Sequence, residues 1–281
     1  MRTFWKDARK NKAFLLFLAL AIGLLLFSVF AEWIVPHDPY ETDFDLLLCA
    51  PSKEHICGTD GVGRCLFCRI LAGAKYSLVA TFAMVFLTTL IGTALGMASG
   101  FFGGVVDTVI MRITDILLSI PVQVCCIAMI AVMSPGLGTV IIAVSLLWWT
   151  KYARMTRNEV MKIRKMEYVE EAILGGESSF RILFRYMLPN ILPQIIVMSA
   201  LDVGRMMLAI AGYSYLGLSA QPPTPEWGYM LSEGKRYIQT SPWMMLYPGI
   251  AIFITVVLFN LLGDSLRDVL DPKSKSRIKN L

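Results

Sequence analysis

The stretch Glu167-Tyr168-Val169-Glu170-Glu171-Ala172-Ile173-Leu174-Gly175-Gly176 runs on into Glu177-Ser178-Ser179-Phe180-Arg181-Ile182-Leu183-Phe184-Arg185-Tyr186-Met187-Leu188-Pro189-Asn190. Its first part reads as a short helix that ends at Leu174, where two glycines break it. The second part reads as an amphipathic helix stopped near Pro189. Together they predict a helical hairpin lying on a membrane surface.

The residues around the hairpin put it there. Hydrophobic residues make up 56% of the chain and charged ones 17%, with a mean hydropathy of +0.61. A soluble domain of this size cannot hide that much apolar surface, so the chain belongs in lipid. A hydrocarbon core roughly 30 Å thick needs about 20 apolar residues of helix. On that measure the hairpin is preceded by runs over Phe14 to Val35, Ser77 to Gly100, Ile116 to Met133 and Leu137 to Tyr152. Runs over Ile191 to Ala211 and Met244 to Leu262 follow it. The fold class predicted is an all-α polytopic membrane protein with about six transmembrane helices. The first run, uncharged from Ala13 to Ala31, is longer than a signal-peptide core and lacks a small-residue cleavage site, so it reads as a retained span.

Charge orients the spans, because Lys and Arg are retained on the cytoplasmic side in short loops. Residues 1–13, the segment Lys151 to Arg185 and the tail from Arg267 are basic, and an even number of spans places all three in the cytoplasm. Residues 36–76, with Asp38, Glu41, Asp43, Asp45, Glu54 and Asp60, then lie outside, as does Gln221 to Trp243. The net charge of +5 sits in these topology blocks and does not point to nucleic acid. The organisation expected is a cytoplasmic N-terminus over 1–13, a first span over 14–35, an external loop over 36–76, a transmembrane domain over 77–267 with its coupling loop at 153–190, and a cytoplasmic tail over 268–281. Gly92, Gly96, Gly100 and Gly104 recur every fourth residue, which bares one helix face for a neighbouring backbone, within the fold or in a dimer.

The hairpin sequence resembles the cytoplasmic loop of the ABC-importer permeases, in which Glu-Ala-Ala is followed by three residues, Gly, nine residues and Ile-x-Leu-Pro. Glu170, Ala172, Gly176, Leu188 and Pro189 fall on that pattern, while Glu171 replaces its first Ala and Tyr186 its Ile. The resemblance implies that this loop docks on a separate ATPase subunit and passes on its motion. No phosphate-binding loop stands in the chain. Between Gly228 and Lys235 the first glycine is one residue too early, and Arg236 occupies the place of the magnesium-binding Ser or Thr. The expectation is therefore a non-catalytic subunit that binds no cofactor, with ATP and Mg on partner subunits.

The resemblance extends over nearly the whole chain. His37-Asp38-Pro39, Gly58-Thr59-Asp60 with Gly63-Arg64, and Gly73-Ala74-Lys75-Tyr76-Ser77-Leu78 are similar to the external loop of the dipeptide, oligopeptide and nickel permeases. So are Ser214-Tyr215-Leu216-Gly217-Leu218, Pro222-Pro223-Thr224-Pro225-Glu226-Trp227-Gly228 and Phe259-Asn260-Leu261-Leu262-Gly263-Asp264. These match the second, C-type permease of the group. The partners implied are a second homologous permease, two cytoplasmic ATPase subunits and an extracytoplasmic substrate-binding protein, in a bacterial-type inner membrane. The consecutive prolines stiffen their loop, which suits either docking of the delivery protein or a plain turn.

Cargo is read from Leu201 to Leu208, which looks more like the nickel permeases than the general peptide ones. Asp202 and Arg205 are charges inside a span, so they either face a polar pathway or pair with each other three residues apart. Met206 and Met207 accompany them, as soft donors or as packing. Dipeptide or oligopeptide import is the alternative within the family, and an ion-coupled secondary carrier the alternative outside it. Four of the six cysteines, Cys49, Cys57, Cys65 and Cys68, fall in the external loop. Disulfides, free thiols and a metal site with His37 or His55 are the three readings open for them.

Overall fold

The computed structural model describes residues 11–270, so the basic N-terminal block Arg2 to Lys10 and the tail beyond Leu270 lie outside the described residues. Among the described residues there is no β-strand, only an isolated bridge between Thr59 and Cys65. Helix α1 spans Lys12–Ile34 and starts where the Asn11 side chain accepts the Phe14 N–H at 3.1 Å. It is apolar on all sides, and Leu16, Leu20, Leu26 and Val29 are exposed, as a lipid-facing helix requires. Helix α2 (Leu66–Phe102) follows a loop, then α3 (Gly104–Ser119), α4 (Val122–Met133) and α5 (Leu137–Ile163). The hairpin contributes α6 (Glu167–Leu174) and α7 (Ser179–Ile182). A π turn, Leu183–Met187, leads into α8 (Leu188–Tyr215); α9 (Trp227–Gly234) and α10 (Trp243–Leu270) complete the described residues.

Among the described residues four helical stretches are long and apolar enough to cross a membrane: Lys12–Ala31, Leu66–Phe102, Ser179–Tyr215 and Trp243–Leu270. The pair α3 and α4 makes a fifth if it counts as one span, although it is bent by 89°. The third apolar run is therefore not the continuous helix expected over Ile116 to Met133. Pro121 disfavours helical geometry at the residue before it, and Ile120 takes an extended conformation at φ −110° and ψ 141°. The fourth run, Leu137 to Tyr152, is the apolar part of a longer helix whose second half carries Lys151, Arg154 and Arg157. The second span also begins earlier than its apolar run, at Leu66 instead of Ser77.

Pro189 does not stop the second arm of the hairpin, as the sequence reading expected. It sits in the first turn of α8, where the missing N–H is not needed, and the π turn before it shifts the hydrogen-bond register. Pro193 lies one turn further inside the same helix.

The chain divides into two compact units. The first comprises residues 1–83, 130–141 and 200–281, and in it α1 and α9 pack on α10. The second comprises residues 84–129 and 142–199. Here a Cβ on Gly92 would lie 2.4 Å from Tyr152 Cβ and 2.5 Å from the Trp149 carbonyl, and one on Gly96 would lie 2.5 Å from the Ala153 carbonyl. Gly100 is similarly close to Arg157 and Val160. Three of the four spaced glycines thus seat α5 directly on α2. Gly104 does not, because it opens the next helix at φ +52° with open space around it.

Candidate functional site

The hairpin is built around a turn that only glycine adopts cheaply. Gly175 caps α6 by donating its N–H to the Glu171 carbonyl at 2.8 Å, and Gly176 follows at φ +73°. Ser178 then caps α7 by accepting the Arg181 N–H. The inner faces of both arms enter one apolar core of their unit, with Val169, Ile182, Met187 and Ile191 packed with Met97, Phe101 and Val160. Burying these side chains stabilises the hairpin by roughly 1.5 to 3 kcal/mol each.

The other face is bare. Leu174 is 86% exposed and Phe180 71% exposed, and the Phe180 ring stacks on Phe184 at 4.3 Å between centroids. Of the residues the sequence singled out, Glu170, Glu171 and Gly176 are exposed, Ala172 and Leu188 are half-buried against the core, and Pro189 is exposed. Glu170 lines a cavity of about 350 Å³ with Asp107, Arg164 and Lys165. Tyr168, Glu177 and Asn190 are not part of the sequence pattern, yet together with Tyr186, which stands at the pattern's Ile position, they tie the arms together. Tyr186 donates to Glu177 at 3.0 Å, Asn190 Nδ2 donates to the Tyr168 hydroxyl at 3.2 Å, and the two tyrosine rings lie 6.3 Å apart.

Within α8, Arg205 Nη1 donates to Asp202 Oδ1 at 3.3 Å. The carboxylate is buried while the Arg205 side chain is 66% exposed, so this i,i+3 pair presents its cation outward. Met206 and Met207 are buried. Asn260 of α10 faces Gly204, where a Cβ would come within 2.8 Å of its Oδ1.

The loops of the first unit form a polar assembly that the sequence showed only as separate motifs. Asp60, Arg64, Arg69 and Glu233 make a buried ion network in which Arg64 Nε reaches Asp60 Oδ2 at 2.7 Å and Arg64 Nη2 reaches Glu233 at 3.0 Å. Arg69, with no exposed surface, reaches Asp60 and Glu233, both at 3.4 Å. Glu226 caps α9 by accepting the Gly228 and Tyr229 N–H groups, and Ser77 donates to it at 3.2 Å. The Trp227 indole N–H donates to the Ile70 carbonyl at 2.8 Å. These contacts fasten the loop around Pro222 to the start of α2, and a cavity of about 320 Å³ opens beside Arg64, Tyr229, Glu233 and Arg236.

Between the end of α1 and the first turn of α2, His37, Cys65 and Cys68 bring one donor atom each to within 4.8 Å of one another. No disulfide joins any of the six cysteines. The hydrogen bond from Cys68, with help from His55 and His37, outweighs burial and holds the Cys65 thiol down at about 4. Burial, reinforced by the Cys65 charge, pushes Cys57 up to about 11.

Comparison with known proteins gives this arrangement its family. Residues 92–276 match the binding-protein-dependent transport system inner membrane component family, and residues 1–51 match the N-terminal TM domain of oligopeptide transport permease C. The nickel transport system permease protein NikC of Escherichia coli is 39% identical over 249 residues, covering 89% of this chain and 90% of the relative. The dipeptide transport system permease protein DppC of Alkalihalophilus pseudofirmus is 39% identical over 275 residues, covering 98% of this chain and 90% of the relative. The glutathione transport system permease protein GsiD of Pectobacterium atrosepticum is 37% identical over 276 residues, covering 98% and 92%. An inward-facing structure of the MetNI methionine ABC transporter shares the fold, with a TM-score of 0.58, 20% identity and coverage of 73% of this chain and 97% of that one. The ion-coupled carrier reading falls with these matches. The chain belongs to the binding-protein-dependent transport system inner membrane component family, as a non-catalytic permease subunit of an ATP-driven importer.

Proposed function

We propose that this chain forms half of the translocation pathway of the importer, paired with a second homologous permease, and imports nickel, a nickel chelate or small peptides. Two ATPase subunits that bind ATP and Mg dock on the Glu170–Pro189 hairpin, and an extracytoplasmic binding protein delivers the cargo to the loops around Pro222. Both termini lie in the cytoplasm, which puts the basic segments on the side where positive charge is retained. The observation that carries the docking role is the hairpin itself: one face sits in the core while Leu174, Phe180 and Phe184 stand exposed on the other. Such an apolar ridge on a rigid support suits burial in a partner's groove.

Asp202 and Arg205, with Met206 behind them, line or brace the pathway. An exposed guanidinium held by a buried carboxylate in an otherwise apolar helix costs too much to be idle. The Leu201-Asp202-Val203-Gly204-Arg205 stretch and the NikC relative keep nickel in view. The peptide reading has equal support, since the DppC relative is just as similar. Uptake of radiolabelled nickel and of labelled dipeptide, measured side by side in liposomes holding the complete complex, decides between them. ATP-dependent nickel uptake supports the metal reading, and peptide uptake that is independent of metal replaces it. Uptake driven by an ion gradient without ATP contradicts the whole proposal.

A further inference from the structure

The cluster of His37, Cys65 and Cys68 lies outside the hairpin and the pathway, and neither uses it. Three chain segments meet there. His37 follows the end of α1, Cys65 and Cys68 bracket the first turn of α2, and His55 comes from the loop between them. Both thiols are buried, at 4% and 0% exposure. Cys68 Sγ stands 3.9 Å from His37 Nδ1, and the His37 and His55 rings lie 5.0 Å apart. The His55 Nδ1 is buried and has no hydrogen-bond partner among the described residues, a costly state for a polar atom unless something else takes its lone pair or proton.

We propose that His37, His55, Cys65 and Cys68 form a resident site for a borderline-soft divalent cation, zinc above all, that staples the end of α1, the intervening loop and the start of α2. Two sulfurs and two imidazole nitrogens make the tetrahedral set that zinc takes in closed structural sites. Bonds of about 2.3 Å to sulfur and about 2.0 Å to nitrogen, at a tetrahedral angle, put neighbouring donors about 3.3 to 3.8 Å apart, about 3.5 Å for a sulfur and a nitrogen. The observed 3.9 Å between Cys68 and His37 is nearly that spacing, and the donors of His37, Cys65 and Cys68, within 4.8 Å of one another, need only a small inward movement of side chains, while His55, its ring 5.0 Å from that of His37, has to turn in as the fourth. Cys57 and Cys49 are not part of the cluster, although they share the loop. Binding releases to solvent whatever thiol proton the pair still holds and changes no oxidation state, so the step needs no co-reactant. The site is built from this chain alone and is independent of which cargo the importer carries.

The test uses the full chain, purified with its partner subunits in detergent and dialysed against a weak chelator. Zinc analysis is expected to find about one equivalent per chain. Titration with cobalt(II) of metal-stripped protein is expected to give the thiolate-to-cobalt absorption of a tetrahedral site. Cys65→Ser with Cys68→Ser should abolish both signals, and His55→Ala should weaken zinc binding about tenfold or more. The cobalt spectrum of the unsubstituted chain stands even if the double variant fails to fold. A wild-type chain that holds no zinc and gives no thiolate–cobalt band overturns the proposal. So does zinc retained in full by the double variant, or a Cys65–Cys68 disulfide in the protein as isolated.

Discussion

The Tyr186 hydroxyl donates to Glu177 Oε1 at 3.0 Å, joining the residue after the Gly176 turn to the π turn that feeds α8. In the related permease loops an Ile stands at the position of Tyr186. Here the tyrosine keeps the apolar contact by packing on the core and adds a polar tie. Replacing Tyr186 with Phe removes only the tie. The expected loss is about 1 kcal/mol of local stability, read as faster amide exchange across residues 167–187, with the membrane level of the protein unchanged.

Gly176 sits at φ +73° with open space where a Cβ would go, so the backbone alone sets the cost of a side chain there. Gly176→Val is expected to cost about 1 to 2 kcal/mol at this turn and to uncouple uptake from ATP hydrolysis in the reconstituted complex. Gly176→Asn, which tolerates the left-handed region, should retain most of the uptake. Equal uptake in the Val variant removes the turn from the coupling route.

Gly96 faces the Ala153 carbonyl so closely that even one methyl group forces α2 and α5 apart. Gly96→Ala should lower the unfolding temperature in detergent, in line with an overpacking cost of about 1 to 3 kcal/mol. Gly212→Ala, at a helical glycine with nothing within 4 Å, serves as the control and should leave that temperature where it is.

Arg69 and Asp60 lose all or nearly all exposure, and each would leave its partner charged and buried if removed. Arg69→Met is expected to destabilise the first unit by about 3 kcal/mol or more. The loss should appear as early proteolysis between residues 36 and 65. Because Asp60 also organises the loop by accepting the Val62 and Arg64 N–H groups, Asp60→Asn should be milder than Asp60→Ala.

Much of this was legible in the residues. Uncharged runs as long as Ala13 to Ala31 have only one inexpensive environment, and the double glycine after Leu174 marks a turn in any context. What hydropathy missed were local backbone effects. Pro121 breaks the third apolar run because it acts on Ile120, and an average over a window does not register one dihedral. Pro189 was read as a stop because a π turn upstream has no sequence signature. The Asp60–Arg64–Arg69–Glu233 network was equally hidden, because it joins residues as far as 169 positions apart that only the fold brings together. The nearness of His37 to Cys68 was one of the readings left open for the external cysteines.

In the arrangement proposed above, an ATPase subunit sits on the bare face of the hairpin. The direct measurement is co-purification of the ATPase subunits with a Leu174→Asp, Phe180→Asp chain, followed by an uptake assay. Neither residue belongs to the apolar core beneath them, so the substitutions should leave the chain folded in the membrane. The ATPase subunits are expected to dissociate and ATP-dependent uptake to fall by about tenfold or more, the effect of burying an unpaired charge in an apolar groove. A variant that retains its ATPase subunits and full uptake would contradict that arrangement.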